Sequence, residues 1–114
     1  MNQPLAVGID IGGTNTVFGI VDRRGNILSQ GSIKTKDHPD ISLYMDALQQ
    51  AVSPHIDRAA AAGDQIRGIG IGAPNGNYYH GTIEFAPNLP WKGVIPLANL
   101  VREQFGLPVE VTND

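Results

Sequence analysis

Two runs rich in valine and isoleucine, separated by a short glycine-containing segment, place the strongest constraint on what this chain can fold into. The runs cover residues 5–11 and 16–22, and Gly12-Gly13-Thr14-Asn15 lies between them. β-Branched residues favour strands, and a tight glycine turn between two such runs joins them as an antiparallel pair. A turn in residues 22–26 and a third run over 27–35 extend the pair to a three-stranded meander.

The segment after the meander has the spacing of a helix. Its apolar residues recur at steps of three and four, which places them on one helix face: Ile41, Met45, Leu48, Val52, Ile56 and Ala59. Asp40 is predicted to be the N-cap, and Gly63 is predicted to end the helix. Pro54 lacks a backbone donor and clashes with the preceding turn, so we expect a kink or break there.

The second half of the chain adds two strands and one helix. Residues 66–74 predict a buried strand, and a long polar loop follows through Trp91. A second helix is predicted to begin with Pro96 at its first position and to end at Gly106, and residues 108–112 predict a fifth strand. The order is β-β-β-α-β-α-β, and helical crossovers make the later strands parallel. The expected fold is one α/β domain with a mixed five-stranded sheet.

Composition narrows the function classes. The net charge is -3 and the 8 lysines and arginines are scattered, so no nucleic-acid partner and no membrane surface are expected. The chain has no cysteine, which excludes disulfides and thiolate metal sites within it. No apolar run approaches the roughly 20 residues that span a bilayer, and no basic leader precedes Leu5, so we expect a cytoplasmic protein.

One acidic residue, Asp10, lies inside the first apolar run, at the mouth of the glycine turn. Gly12 and Gly13 permit positive backbone angles that would turn N–H groups inward as an anion-binding nest, and Thr14 and Asn15 add donors. A carboxylate beside a bound phosphate requires a divalent cation between them, which favours Mg²⁺. The segment therefore predicts a nucleotide-phosphate site. The alternative is a plain hairpin turn in which Asp10 caps the turn amides.

Two other phosphate motifs do not fit. No Lys-Ser/Thr pair follows the first glycines, and a strand rather than a helix comes next, unlike in a P-loop. The second glycine cluster, residues 68–75, is interrupted by Pro74, ends on Asn75 and opens no helix, so it is not a dinucleotide fingerprint. These glycines are better explained by packing.

Four segments, in this order, resemble the ROK family of bacterial sugar kinases and repressors, and most of all its glucokinase-like members. The segments are Asp10-Ile-Gly-Gly-Thr-Asn15, Gly70-Ile-Gly-Ala-Pro74, Ala86-Pro-Asn-Leu-Pro-Trp91 and Val111-Thr-Asn-Asp114. The resemblance implies a ribonuclease-H-like (actin-like ATPase) fold, in which two α/β lobes close over nucleotide and sugar. Residues 1–114 would be the N-terminal lobe, and the C-terminal lobe would be absent from this chain.

The resemblance also implies roles for individual residues. Asp114 matches the catalytic base that accepts a proton from the sugar hydroxyl as it attacks the γ-phosphate of ATP. Asn88 and Asn113 match residues that bind sugar hydroxyls, and Gly72 lies where the backbone lines the sugar cleft. The first phosphate motif is matched by Asp10, Gly12, Gly13, Thr14 and Asn15. Without the family, the preferred interpretation of Asn113 and Asp114 would be a strand end with turn-forming residues.

The implied ligands are a hexose, foremost glucose, and ATP with Mg²⁺, and the implied full-length protein is a homodimer. A structural zinc site and the adenine pocket would lie in the half that follows. One departure from the family concerns the residue after Pro74, which is usually glycine and here is Asn75. A carboxylate is a weak base at neutral pH, but phosphoryl transfer releases the hydroxyl proton late, so alignment matters more than basicity.

Other polar and aromatic residues have weaker claims. His38, His55 and His80 are too dispersed to predict a metal site. Aromatic residues of the long loop, Tyr78, Tyr79 and Trp91, could stack on a sugar ring, but such residues more often pin a loop to the core. Lys34 and Lys36 could reach phosphate, although a solvated strand edge is the simpler interpretation.

The sequence is also compatible with two other functions. One is a sugar-sensing regulator of the same family, which carries a helix-turn-helix domain ahead of the first motif. Here Asp10 lies nine residues after Met1, so no room for that domain is expected. The other is a non-catalytic binding domain of the actin-like class, which Asp114 disfavours.

Overall fold

A computed structural model describes residues 3–114; Met1 and Asn2, at the start of the predicted lobe, lie outside the described residues. The strands are β1 (Pro4–Ile11), β2 (Asn15–Asp22), β3 (Ile27–Lys34), β4 (Gln65–Ala73), β5 (Gly76–Asn77), β6 (Thr82–Glu84), β7 (Val94–Ile95) and β8 (Val109–Asn113). The helices are α1 (Ile41–Ala61) and α2 (Leu97–Phe105), and Thr35–Asp37 form one 3₁₀ turn.

The main sheet has five strands in the order β3-β2-β1-β4-β8. β1, β2 and β3 are antiparallel neighbours, whereas β4 runs parallel to β1 and β8 runs parallel to β4. Along the chain these elements follow as β-β-β-α-β-α-β. The predicted α/β class and the mixed five-stranded sheet are therefore confirmed.

The predicted long polar loop up to Trp91 instead contains two short strands of a second, small sheet, whose third strand lies just beyond Trp91. β5, β6 and β7 form it as antiparallel neighbours, with Ile83 opposite Ile95 and both side chains buried. Strands of two or three residues are too short to show the alternation by which a strand is recognised in sequence. Their pairing is decided by contacts between residues that are distant along the chain.

Helix α1 begins and ends as its sequence predicts, but Pro54 does not break it. The Asp40 carboxylate accepts hydrogen bonds from the backbone N–H groups of Ser42 (2.8 Å) and Leu43 (3.1 Å). Gly63, just beyond the helix, has a φ of 86°. Pro54 is exposed, so the carbonyl deprived of its partner can be hydrated while the opposite face of the helix stays packed.

Helix α2 ends at Gly106 as predicted, and Gly106 adopts a left-handed conformation with a φ of 69°. Pro96 is the N-cap residue, so the helix begins at Leu97, one position later than predicted. The predicted apolar faces of both helices pack on the sheet. The buried or partly buried residues of these faces are Ile41, Met45, Leu48, Val52, Ile56, Ala59, Leu97, Leu100, Val101 and Phe105.

The sheet carries its core on one face, and the other face is open. In β1 the buried residues alternate with smaller, more exposed ones that line a shallow cavity of about 320 Å³ on the open face. Side chains added at Gly8 or Gly70 would meet nothing within 4 Å, and Val17 beside them is 47% exposed. Parallel sheets are normally covered on both faces. Residues 3–114 therefore leave apolar sheet surface in contact with water.

Candidate functional site

The predicted site residues converge at one edge of the main sheet, where β1, β4 and β8 end. In the parallel register Asp10 pairs with Gly72, and Ala73 pairs with Asn113. The backbone N–H of Asp114 continues this pairing by donating to the carbonyl of Ala73 at 3.0 Å. Crevices at the carboxyl ends of strands are where open α/β sheets bind ligands. Parallel pairing thus brings together residues separated by about a hundred positions in the sequence.

Two carboxyl groups lie side by side at this edge. The Asp10 carboxyl is within hydrogen-bonding reach of Asp114, and this hydrogen bond raises the pKa of Asp10, with smaller contributions from desolvation and from the charge of Asp114. Gly72 faces the same group, since a Cβ at Gly72 would lie 3.5 Å from the Asp114 Cγ. Among residues 3–114 no amide of the glycine turn donates a hydrogen bond to the Asp10 carboxyl, and the Gly12 N–H is taken by the Asn15 carbonyl, so the capping interpretation of Asp10 is wrong.

The carboxyl pair fits Mg²⁺ better than a metal held by protein alone. Mg²⁺ keeps several waters and is usually bound by one or two carboxylates together with phosphate oxygens. Asp10 and Asp114 are exposed and supply such a pair. Within residues 3–114, no cluster of three or more histidine or acidic side chains that could hold a metal is found. The exposed Asp10 carboxylate therefore suits a cation shared with a bound phosphate.

The glycine turn, residues 12–15, differs from the predicted nest. Gly12 and Gly13 do not have positive φ angles, and the Gly12 N–H donates to the Asn15 carbonyl at 2.9 Å, so it closes the turn. In the described part of the chain the Gly13 N–H and the side chains of Thr14 and Asn15 have no hydrogen-bond partner. Together with the Thr14 N–H, which also has no partner among residues 3–114, these groups are donors that the turn can offer to an anion.

Gly13 is required by a close contact and not by its backbone angle. A Cβ at Gly13 would lie 2.7 Å from the carbonyl oxygen of Asn88, closer than real Cβ atoms come to other atoms. Asn88 belongs to the segment 86–91, called here the Asn88 loop. The glycine turn and the Asn88 loop therefore touch, and Asn88 is exposed at their junction.

We predict that Gly13→Ala destabilises the fold by about 1 to 3 kcal/mol, the usual cost of forcing an extra group into a packed contact. Urea unfolding of the 114-residue chain at low micromolar concentration, followed by the fluorescence of its one tryptophan, measures this change. Gly8→Ala is the matched control, because its added methyl meets nothing within 4 Å. Equal stability of the two variants would contradict the required contact.

Asn75 explains the departure from the family's glycine. Its φ of 56° lies in the left-handed region, which glycine adopts freely and asparagine tolerates better than most residues. Its side-chain amide donates to the carbonyls of Glu84 (3.0 Å) and Phe85 (3.1 Å), which ties the end of β4 to β6. Asparagine thus meets the conformational requirement and adds two hydrogen bonds.

Trp91 pins the Asn88 loop to the core. It is buried, its indole N–H donates to the carbonyl of His38 at 3.0 Å, and its ring lies 4.4 Å from the ring of Tyr44. The expectation of pinning is confirmed for Trp91. It is wrong for Tyr78 and Tyr79, whose side chains are 55% and 91% exposed.

Sequence reasoning missed a cluster of buried hydroxyl groups behind the glycine turn. Thr16 Oγ1 lies 2.7 Å from Thr35 Oγ1 and 2.8 Å from the Tyr44 hydroxyl, and all three residues are fully buried. Burial raises the pKa of Tyr44 to about 12, although the hydrogen bond to Thr16 opposes the shift. The available signal was the position of Tyr44, three residues after Ile41 on the apolar face of α1.

Comparisons with known proteins agree with the predicted resemblance. The sequence profile of the ROK family matches residues 6–114. A glucokinase from Streptomyces coelicolor is 40% identical over 111 residues, which are 96% of this chain and 32% of that protein. A xylose repressor from Caldicellulosiruptor bescii is 29% identical over 109 residues, which are 95% of this chain and 27% of the repressor.

The crystal structure of a ROK family glucokinase from Streptomyces griseus in complex with glucose and AMPPNP has a similar fold. Its TM-score is 0.74 at 38% identity, and the match covers 96% of this chain and 33% of that one. The predicted ribonuclease-H-like, actin-like ATPase fold is thereby confirmed. The chain spans about a third of the length of the relatives it matches. None of the helices among residues 3–114 has the length and apolar composition that a membrane-spanning helix needs.

Proposed function

Since the chain belongs to the ROK family, we propose that residues 1–114 are the N-terminal lobe of a two-lobe sugar kinase. The reaction transfers the γ-phosphoryl group of ATP to a hydroxyl of a hexose, with glucose as the acceptor and glucose 6-phosphate as the product. The observation that carries this proposal is the meeting of Asp10, Gly72 and Asp114 at one sheet edge. The glycine turn and the Asn88 loop adjoin the edge and supply further polar groups.

Asp114 is the group proposed to move the proton. As the sugar oxygen attacks the γ-phosphorus, the bond to ADP breaks, and the hydroxyl proton passes to a carboxylate oxygen of Asp114. The exposed position of Asp114 leaves it accessible to a sugar in the cleft. For this role the position of the Asp114 carboxylate matters more than its basicity, because the transition state of phosphoryl transfer is loose and the hydroxyl proton leaves late.

Nucleotide and sugar have separate contacts in the proposed site. The Gly13 N–H and the side chains of Thr14 and Asn15 bind phosphate oxygens, while Asn88 and Asn113 bind sugar hydroxyls beside Gly72. Asp10 would hold Mg²⁺, which, when bound, neutralises charge on the transferring phosphate. The cation would thus allow the Asp10 carboxylate and a phosphate to occupy neighbouring positions.

The other wall of the cleft would come from a C-terminal lobe, and the intact protein is proposed to be a homodimer. In-line transfer requires the sugar oxygen and the phosphorus to be held together and screened from water. The relatives are about three times as long as this chain, which leaves enough length for such a lobe. A coupled assay of the intact protein with ATP, Mg²⁺ and glucose tests the proposed reaction. Absence of glucose 6-phosphate at saturating substrates would refute it.

Asn88→Ala in the intact protein is predicted to weaken glucose binding by about 1 to 3 kcal/mol, because a sugar hydroxyl loses its hydrogen-bond partner. Nucleotide affinity should change little, since the Asn88 side chain is not part of the glycine turn. Titration calorimetry with glucose and with AMPPNP measures both. Equal losses for the two ligands would instead give Asn88 a structural role at its contact with Gly13.

A sugar-sensing regulator is the second candidate, favoured by the similarity to the xylose repressor. Such a protein would bind sugar without transferring phosphate. Measuring turnover and operator-type DNA binding on the intact protein separates the two functions. Sugar binding with DNA binding and no turnover would favour the regulator.

A further inference from the structure

Tyr44 lies on the buried side of the proposed site and connects its two loops, the glycine turn and the Asn88 loop. Its hydroxyl is bonded to Thr16, which in turn is bonded to Thr35. The backbone N–H of Thr35 donates to the Thr14 carbonyl at 2.9 Å. The hydroxyl end of Tyr44 is therefore connected to the glycine turn through Thr16 and then through Thr35, whose side chain and backbone each make one of the hydrogen bonds.

The ring of Tyr44 contacts the other loop. Its centroid lies 4.4 Å from that of Trp91, which is three residues beyond Asn88. Trp91 is held in turn by its hydrogen bond to the His38 carbonyl. Tyr44 and Trp91 are both buried, and close packing around buried rings limits how far either can move independently.

We propose that Tyr44 is a positioning residue that fixes the glycine turn relative to the Asn88 loop and thereby couples nucleotide binding to sugar binding. The proposal rests on the proposed function, which assigns phosphate to one loop and sugar to the other. A shift of the glycine turn on nucleotide binding moves Thr14 and the hydroxyl cluster. Tyr44 passes that displacement to Trp91 and so to Asn88, because close-packed side chains transmit displacement.

Coupling is a measurable quantity: the factor by which saturating AMPPNP changes the affinity of the intact protein for glucose. Such factors are typically about 5- to 150-fold. Tyr44→Phe removes one oxygen and leaves the ring against Trp91. In this variant we expect the coupling factor to fall at least threefold, toward a value of one. We also expect kcat to fall by a larger factor than the change in the KM for glucose or in the KM for ATP.

Two further variants separate coupling from mere stability. Ser29→Ala removes a different hydroxyl, which is bonded to His55 at 2.9 Å and lies outside the cluster, and it should leave the coupling factor unchanged. Trp91→Phe acts at the other end of the link and should lower the factor as Tyr44→Phe does. If Tyr44→Phe does not fold, Trp91→Phe carries the test.

The possible results are distinct. A lower melting temperature with an unchanged coupling factor in both aromatic variants would overturn the proposal and leave Tyr44 a core residue. An unmodified protein that binds both ligands without any coupling would also overturn it. Absence of glucose and nucleotide binding in the unmodified protein would refute the proposed function itself, together with this inference.

Discussion

Asp114→Asn in the intact protein is expected to lower kcat by roughly 10²- to 10⁴-fold, the usual contribution of a general base. Asparagine keeps the shape of the side chain and can still hydrogen-bond to a sugar hydroxyl, but it cannot accept the proton. Glucose affinity should therefore change little. Steady-state kinetics with ATP and glucose, together with calorimetric titration of glucose, give the two quantities.

The control for this prediction is Asp57→Asn, which changes the same functional group on the exposed side of α1. It should leave kcat as it is. An Asp114→Asn protein with most of the original turnover would contradict the assignment of Asp114 as base. Loss of glucose binding in parallel with turnover would point to a role in holding the sugar.

The carboxyl of Asp10, which lies beside Asp114, provides a second measurement on the Asp114→Asn variant. The pKa of Asp10 is raised mainly by its hydrogen bond to Asp114, so the folded chain takes up this proton at a higher pH than the unfolded chain. The pair thus favours folding in acid, and the effect is lost as the pH rises through the raised pKa. Asp114→Asn should lower the pKa of Asp10, as an NMR titration of its carboxyl carbon would show.

The 114-residue chain by itself is expected to fold at least in part and to show no measurable kinase turnover. A complete sheet with two packed helices provides the core. The proposed reaction, however, needs a second wall to align the phosphorus with the sugar oxygen and to exclude water. Weak nucleotide binding through Gly13 and Thr14 is compatible with this result, since the adenine pocket is proposed to lie in the C-terminal lobe.

The same chain is expected to self-associate through its open sheet face. Apolar groups there, including Val17, remain in contact with water, and such surfaces promote association. Light scattering beside the coupled assay tests both statements, and Val17→Lys on this face should reduce the scattering. Robust turnover by a monodisperse monomer would show that these 114 residues form a complete enzyme.

Much of the fold could be predicted because the deciding signals are local. The alternating valine and isoleucine runs, the Asp40 cap and the glycine after each helix act within a few residues, and each is found where expected. The break expected at Pro54 does not occur, because the effect of a proline depends on its exposure, which local sequence does not give. The small sheet was missed because its strands pair across intervening turns.

The sequence by itself determined the order of the five main-sheet strands and the two helices, the family, and the residues that could do chemistry. Tertiary structure decided how these residues meet: Asp10 beside Asp114, Gly13 against Asn88, and Tyr44 between Thr16 and Trp91. The physical reason is the separation along the chain over which each kind of interaction acts. Propensity, capping and turn geometry act over one to four positions along the chain, whereas parallel strand pairing and side-chain packing join residues far apart in sequence, and only the folded chain fixes their distances.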